Sequence, residues 1–158
     1  MKRVEHQLRT TAQPTGWDLG ASLCAGLTLL HYASFAQLDS LAAVRERYNM
    51  ENPRFARWGV HVLVSQNRHG EVILGDSHEY GWDVSPFDSE AINRLILGYL
   101  DTFARFPEPA IAENWHGVYP KLPGRADFVV EAEPGVRIVN GLSGAGMTMS
   151  FGLAEEVV

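Results

Sequence analysis

Cysteine is nearly absent from this chain, Cys24 being the only one among 158 residues. No disulfide can form within it, so a reducing, cytoplasmic setting is expected. Cys24 lies in the apolar stretch Ala21 to Leu27, where a free thiol is expected to act as a small buried hydrophobe. Long apolar runs are missing as well. The longest, Leu19 to Leu30, is too short to span a bilayer, and its position and flanks do not suit a signal peptide, so no targeting segment is expected. Basic residues are few: 13 Lys and Arg against 19 Asp and Glu leave a formal net charge of −6. Arg45, Arg47, Arg54, Arg57 and Arg68 are scattered, which argues against nucleic acid or an anionic membrane as the main partner. There are no internal repeats, low-complexity tracts or obvious linkers.

What is present is enough apolar residue, 46%, for one sizeable core. Residues 4 to 11 read as a first strand and Gln13-Pro14-Thr15-Gly16 as a turn. Leu27 to Tyr32 reads as a buried strand. Leu38, Leu41, Ala42, Val44 and Tyr48 follow helical spacing, with Asp39 or Ser40 as cap. Residues 60 to 65 and 71 to 76 flank Asn67-Arg68-His69-Gly70 as a hairpin. Ile92, Leu95, Ile96, Tyr99, Leu100 and Phe103 form one face of a helix over residues 89 to 106, capped by Asp88 and stopped by Pro107. Strands near 111 to 115, 128 to 131 and 136 to 139 are expected to finish the sheet, and the tail to return as a helix. The fold class is α+β, a largely antiparallel mixed sheet with packed helices.

The most informative segment is Asn140 to Ser150. Glycines at 141, 144 and 146 sit between the β-branched stretch Val136 to Val139 and a helix-prone tail, the layout of a strand feeding a helix through a backbone-exposing turn. Such a turn offers N–H groups and a positive helix end to an anion or a polar ring edge. The spacing G-x-x-G-x-G differs from the dinucleotide fingerprint G-x-G-x-x-G, which also needs a second strand and a later acidic residue. Residues 136 to 158 therefore read as the last strand and helix of a larger nucleotide-binding domain.

Trp115-His116-Gly117-Val118-Tyr119-Pro120, a polar loop, a strand and then Gly141 to Thr148 resemble the C-terminal signature of the D-amino-acid oxidase-like, FAD-dependent oxidoreductases, which include glycine and sarcosine oxidases. In that family a W-x-G-x-R-P element lines the substrate site and a later G-x-x-G-x-G-[MF] turn runs along the flavin. The segments His31 to Phe35 and Gly75 to Gly81 are similar to a subfamily linked to aminophosphonate breakdown. The resemblance implies a substrate-binding-like α+β domain over 1–131 and, over 132–158, the strand-turn-helix of a truncated FAD-binding domain. It places Gly141, Leu142, Ser143, Gly144, Ala145, Gly146, Met147 and Thr148 beside FAD. Enlarging Gly144 or Gly146 should do most harm there, by pushing a Cβ into the ring or forcing the turn out of positive φ. The isolated chain is expected to bind FAD weakly or not at all, and to self-associate or pair with a separate FAD-binding half.

One departure carries chemical meaning. Tyr119 stands where the pattern has arginine, and a phenol cannot supply the charged fork that captures a carboxylate at two points. A phosphonate could instead be held by Tyr119 with a lysine or histidine, Lys121 being adjacent. By the same resemblance His61, His78 and His116 are candidate substrate contacts, His61 and His78 through a shared face of the hairpin. No spacing matches a recognised zinc pattern, so no metal site is expected. A metal-dependent hydrolase built on His61, His78 and Glu79, and a non-catalytic interaction module, are the competing readings. Asp76 and Glu79 are expected to be solvated or capping, and Trp82 and Trp115 to be packing residues. No general base is proposed, since a substrate amine that binds neutral needs none.

Overall fold

The computed structural model describes all residues except 1, 33, 34, 36, 126 and 158, and all their side chains except those of Arg3 and Ser143. In chain order the elements are β1 (Lys2–Ala12), β2 (Leu23–Cys24), α1 (Thr28–His31), α2 (Asp39–Glu51), α3 (Pro53–Arg57), β3 (Leu63–Gln66), β4 (Glu71–Gly81), α4 (Glu90–Leu100), β5 (Ile111–Pro120), β6 (Phe128–Glu133), β7 (Val136–Asn140) and α5 (Gly146–Val157), with a 3-10 turn, Ser143–Ala145, before α5. The class is α+β. Five strands form one sheet in the order β2-β3-β4-β1-β5, and β6 and β7 form a separate antiparallel ribbon.

By compactness the chain divides into two units. One holds Val4–Glu79 and Ser85–Gly117; the other gathers the residues before Val4, Tyr80–Val84 and the chain from Val118 onward. The first contains the core. Strand alternation sends Val4, His6, Leu8 and Thr10 of β1, and Val72, Leu74, Asp76 and His78 of β4, into the interior, because successive side chains point to opposite faces. Ile92, Ile96 and Leu100 line up every four residues on α4 and pack with Leu8, Val62, Val64, Val72 and Leu74. Burying each such side chain contributes roughly 1.5–3 kcal/mol.

The hairpin of β3 and β4 follows the sequence closely, with Val64 opposite Leu74 and Gln66 opposite Val72. Asn67 builds the turn: its side-chain oxygen accepts from the backbone N–H groups of His69 at 2.9 Å and Glu71 at 3.1 Å. Gly70 supplies the positive φ of 79°. At the far end of β1, Thr11 N–H bonds Ala110 O at 2.8 Å. Beyond it the side-chain amide of Gln13 donates to Glu108 O at 2.7 Å and accepts from Glu108 N–H at 3.1 Å.

Several expectations are corrected. Leu27 to Tyr32 is not a strand, because the chain turns at Ala25-Gly26 and forms the one-turn helix α1, with Thr28 N–H bonded to Ala25 O and Leu30 N–H to Leu27 O. A short apolar run fits either conformation, and here local backbone bonds decide. Neither Asp39 nor Ser40 caps α2, which starts from Leu38 without a side-chain cap bond, and α3 opens with Pro53 at its first turn, a start signal that was there to read. Helix α4 ends at Leu100, well before Pro107, and Thr102 Oγ1 donates to Tyr99 O at 2.7 Å just beyond its end. Asp88 does not cap α4; its carboxylate is engaged by Asn114 and His116 of β5. Strands β6 and β7 do not finish the main sheet. Cys24 is exposed, since the two-residue β2 leaves its thiol outside the core. Trp82 is 81% exposed and Trp115 37%, so neither is a core packing residue.

Ile96 is fully buried at the centre of the apolar cluster. Replacing it with Ala should cost about 2–5 kcal/mol, read as a lower urea midpoint at unchanged slope.

Candidate functional site

Two groups of polar residues stand out, and each belongs to its own unit. In the larger unit the hairpin brings His61 and His78 together. His61 and Asp76 exchange backbone bonds, His61 N–H to Asp76 O at 3.1 Å and Asp76 N–H to His61 O at 2.7 Å, while His78 N–H bonds Trp58 O at 2.7 Å. The imidazoles meet Nε2 to Nε2 at 2.8 Å, a distance at which one ring donates and the other accepts. Asp76 carboxylate oxygens lie 3.3 Å from His78 Nε2 and 3.6 Å from His61 Nε2. Thr28 Oγ1 is 3.4 Å from His61 Nδ1. The ring of His31, brought in by α1, lies 4.2 Å from both other imidazoles. His61 and His78 are each 2% exposed and Asp76 4%. Asp76 is therefore buried, not solvated, in a stretch of β4 where Gly75 to His78 are all buried. Of the flanking segment, Ala33 and Ser34 lie outside the described residues.

A cavity of about 100 Å³ opens over His31 and His61, with Arg45, Tyr48 and Asn49 of α2 along its wall. Burial, with the neighbouring Tyr99, pushes the Tyr48 phenol well above its ordinary range. It stays a neutral donor there, 3.4 Å from Val60 O. Sequence reading missed Arg45 and Tyr48 as site residues. The available signal was their three-residue spacing on α2, which puts both on one helical face.

The remaining acidic candidate goes elsewhere. Glu79 bonds His6 Nε2 at 3.0 Å instead of joining His61 and His78, and Asp76 takes that place. His116, on β5, is joined through Nδ1 to Asp88.

In the smaller unit Tyr119 and Pro120 line a cavity of about 290 Å³ with Val139, Asn140, Gly141, Leu142 and Gly146. Lys121 Nζ stands 5.4 Å from the centre of the Tyr80 ring, within cation–π reach. The glycines of the turn have distinct jobs. Gly141 holds φ +83°, and a Cβ there would meet Phe128 N at 3.2 Å and Phe128 Cβ at 3.3 Å. Gly146 is helical, φ −54°, and a Cβ built on it meets nothing within 4 Å. The positive φ expected at Gly146 belongs to Gly141, because α5 already begins at Gly146. Met147 and Thr148 follow in its first turn.

The family described as FAD dependent oxidoreductase (DAO) matches residues 11–158. The chain belongs to this family. No curated protein and no solved structure gave a match. The turn of this FAD-dependent oxidoreductase fits the cofactor it implies. Open space over Gly146, at the rim of a cavity and at the N-terminal end of a 12-residue helix, admits a flat ring edge and favours negative charge. Among the described residues no helix is long and apolar enough to cross a membrane.

Gly141→Ala should destabilise the protein by about 1–2 kcal/mol through backbone strain and contact with Phe128. Gly146→Ala should leave the melting temperature unchanged or raise it slightly, and differential scanning calorimetry separates the two.

Proposed function

We propose that this FAD-dependent oxidoreductase oxidises a small amine bearing an anionic group, an aminophosphonate or an amino acid. The observation that carries the reading is the single cavity shared by Tyr119 and the turn from Val139 to Gly146. It joins the substrate-lining and flavin-lining segments of the family pattern. The bound flavin supplies an acceptor for hydride from the C–H bond beside the amine. Gly141, Leu142, Ser143, Gly144, Ala145, Gly146, Met147 and Thr148 are the residues proposed to hold it, with the positive end of α5 stabilising negative charge. Tyr119 donates a hydrogen bond to the anionic group and Lys121 supplies positive charge. On the resemblance alone His61, His78 and His116 are also proposed substrate contacts; Arg45, beside His31 and His61, adds a cation to the cavity there. No side chain is assigned as general base. A reducing, cytoplasmic setting is part of this reading, in keeping with an exposed, unpaired Cys24.

A second observation favours a partner. All of β7 is exposed, and Val136, Ile138, Met147, Met149 and Phe151 stand apolar and uncovered. We propose that an FAD-binding portion, on this or another chain, covers this surface. The alternative is a non-catalytic module that self-associates through it.

The absorbance spectrum after FAD addition and desalting tests the cofactor assignment. Retained flavin bands, reduced in Gly146→Ala at unchanged stability, are expected if the cofactor site is completed. A colourless, self-associating protein would favour the interaction module. In a flavin-loaded preparation Tyr119→Arg should raise the carboxylate-to-phosphonate ratio of kcat/KM by about tenfold or more; an unchanged ratio would place the anion elsewhere.

A further inference from the structure

The larger unit holds a second cluster, of which the oxidoreductase reading uses His116 alone. His6 lies on the buried face of β1 and is 2% exposed. Its Nε2 bonds Glu79 Oε1 at 3.0 Å, so Nε2 donates to the carboxylate, and in the neutral ring Nδ1 carries the lone pair. Nδ1 has no hydrogen-bond partner among the described residues. It faces Asp88 Oδ1 at 4.0 Å, too far for a hydrogen bond even if Nδ1 carried a proton. His116 Nδ1 converges on the same carboxylate oxygen. One ligand atom from each of His6, Asp88 and His116 lies within 4.8 Å of the other two.

We propose that His6, Asp88 and His116 bind a divalent transition metal ion of the zinc type. Two imidazole nitrogens and one carboxylate oxygen are the donors such ions prefer. Tetrahedral zinc with bonds of 2.0–2.1 Å needs ligand atoms about 3.3 Å apart. The His6 to Asp88 separation must close by a fraction of an ångström, and the His116 to Asp88 contact must open. A metal gives the buried lone pair of His6 an acceptor and replaces the direct His116 to Asp88 contact. The surroundings match what metal-bound histidines and carboxylates need. Glu79 takes the other N–H of His6, and Asn114 Nδ2 donates to Asp88 Oδ2 at 3.1 Å. Asp88 and His116 keep side-chain exposures of 26% and 15%, so a fourth position is left for water. The three ligands come from β1, β5 and the segment before α4, and the ion would brace them together.

The proposal shares His116 with the substrate reading, and its test needs neither turnover nor an amine. Full-length protein is stripped with a chelator, given Zn²⁺ and desalted, and bound metal is counted; Co²⁺ in place of Zn²⁺ reports ligand geometry through its visible absorption. One Zn²⁺ per chain is expected, lost in Asp88→Asn and kept in His69→Gln, an exposed histidine outside the cluster. Glu79→Gln, at a part-exposed position, should still fold and bind zinc about 10- to 100-fold more weakly, so the test holds if Asp88→Asn does not fold. Absence of retained zinc, zinc unaffected by Asp88→Asn and Glu79→Gln, or zinc lost only in His61→Gln would overturn it.

Discussion

The two-residue repeat of β1 and β4 is the constraint on which the larger unit depends. The buried face of β4 runs from apolar Val72 and Leu74 to polar Asp76 and His78, and that of β1 alternates Val4 and Leu8 with His6 and Thr10. The pleat gives the polar residues no choice of face, so they enter the interior with the apolar ones. A buried imidazole or carboxylate without a partner costs more than a typical surface contact returns. The strand order then supplies the partners. The hairpin sets His61 against His78, and the placement of β1 between β4 and β5 sets His6 near both Glu79 and His116. The apolar residues stabilise the sheet, and the polar ones are the chemistry that its stability can hold in place.

Much of this was legible in the sequence wherever a local rule was strong. The turn at Asn67 to Gly70 fixed the hairpin, and with it the meeting of His61 and His78. The glycine-rich turn gave a strand, a break and a helix in the right order. Legibility failed where long-range pairing decides. Asp88 looks like a helix cap and Glu79 like a neighbour of His78, yet both are claimed by histidines from distant strands. Nothing within ten residues of Asp88 announces His6 or His116. The one-turn α1 was missed because an apolar hexapeptide carries no periodicity, and it is α1 that delivers His31 to the cluster.

The smaller unit obeys different physics. Its ribbon and helix have few buried side chains, and α5 has none. Their order comes from backbone pairing between β6 and β7 and from polar ties such as the Arg137 guanidinium on the Val157 carbonyl. Val136, Ile138, Met147, Met149 and Phe151 lie open here. Two glycines five residues apart show how the same residue type serves separate ends, Gly141 for the shape of the chain and Gly146 for the space beside it.

Gln13 has a consequence of another kind. Its primary amide donates to the C=O and accepts from the N–H of one residue, Glu108, as a backbone residue does across a ladder. The pairing of β1 with the segment leading into β5 therefore runs one rung past the last strand residue, on a side chain in place of a main chain. Strand ends ordinarily fray first and give up their amide protons soonest. Here the end of β1 is clamped by a surrogate peptide, and the order in which the sheet opens is written partly in a single glutamine.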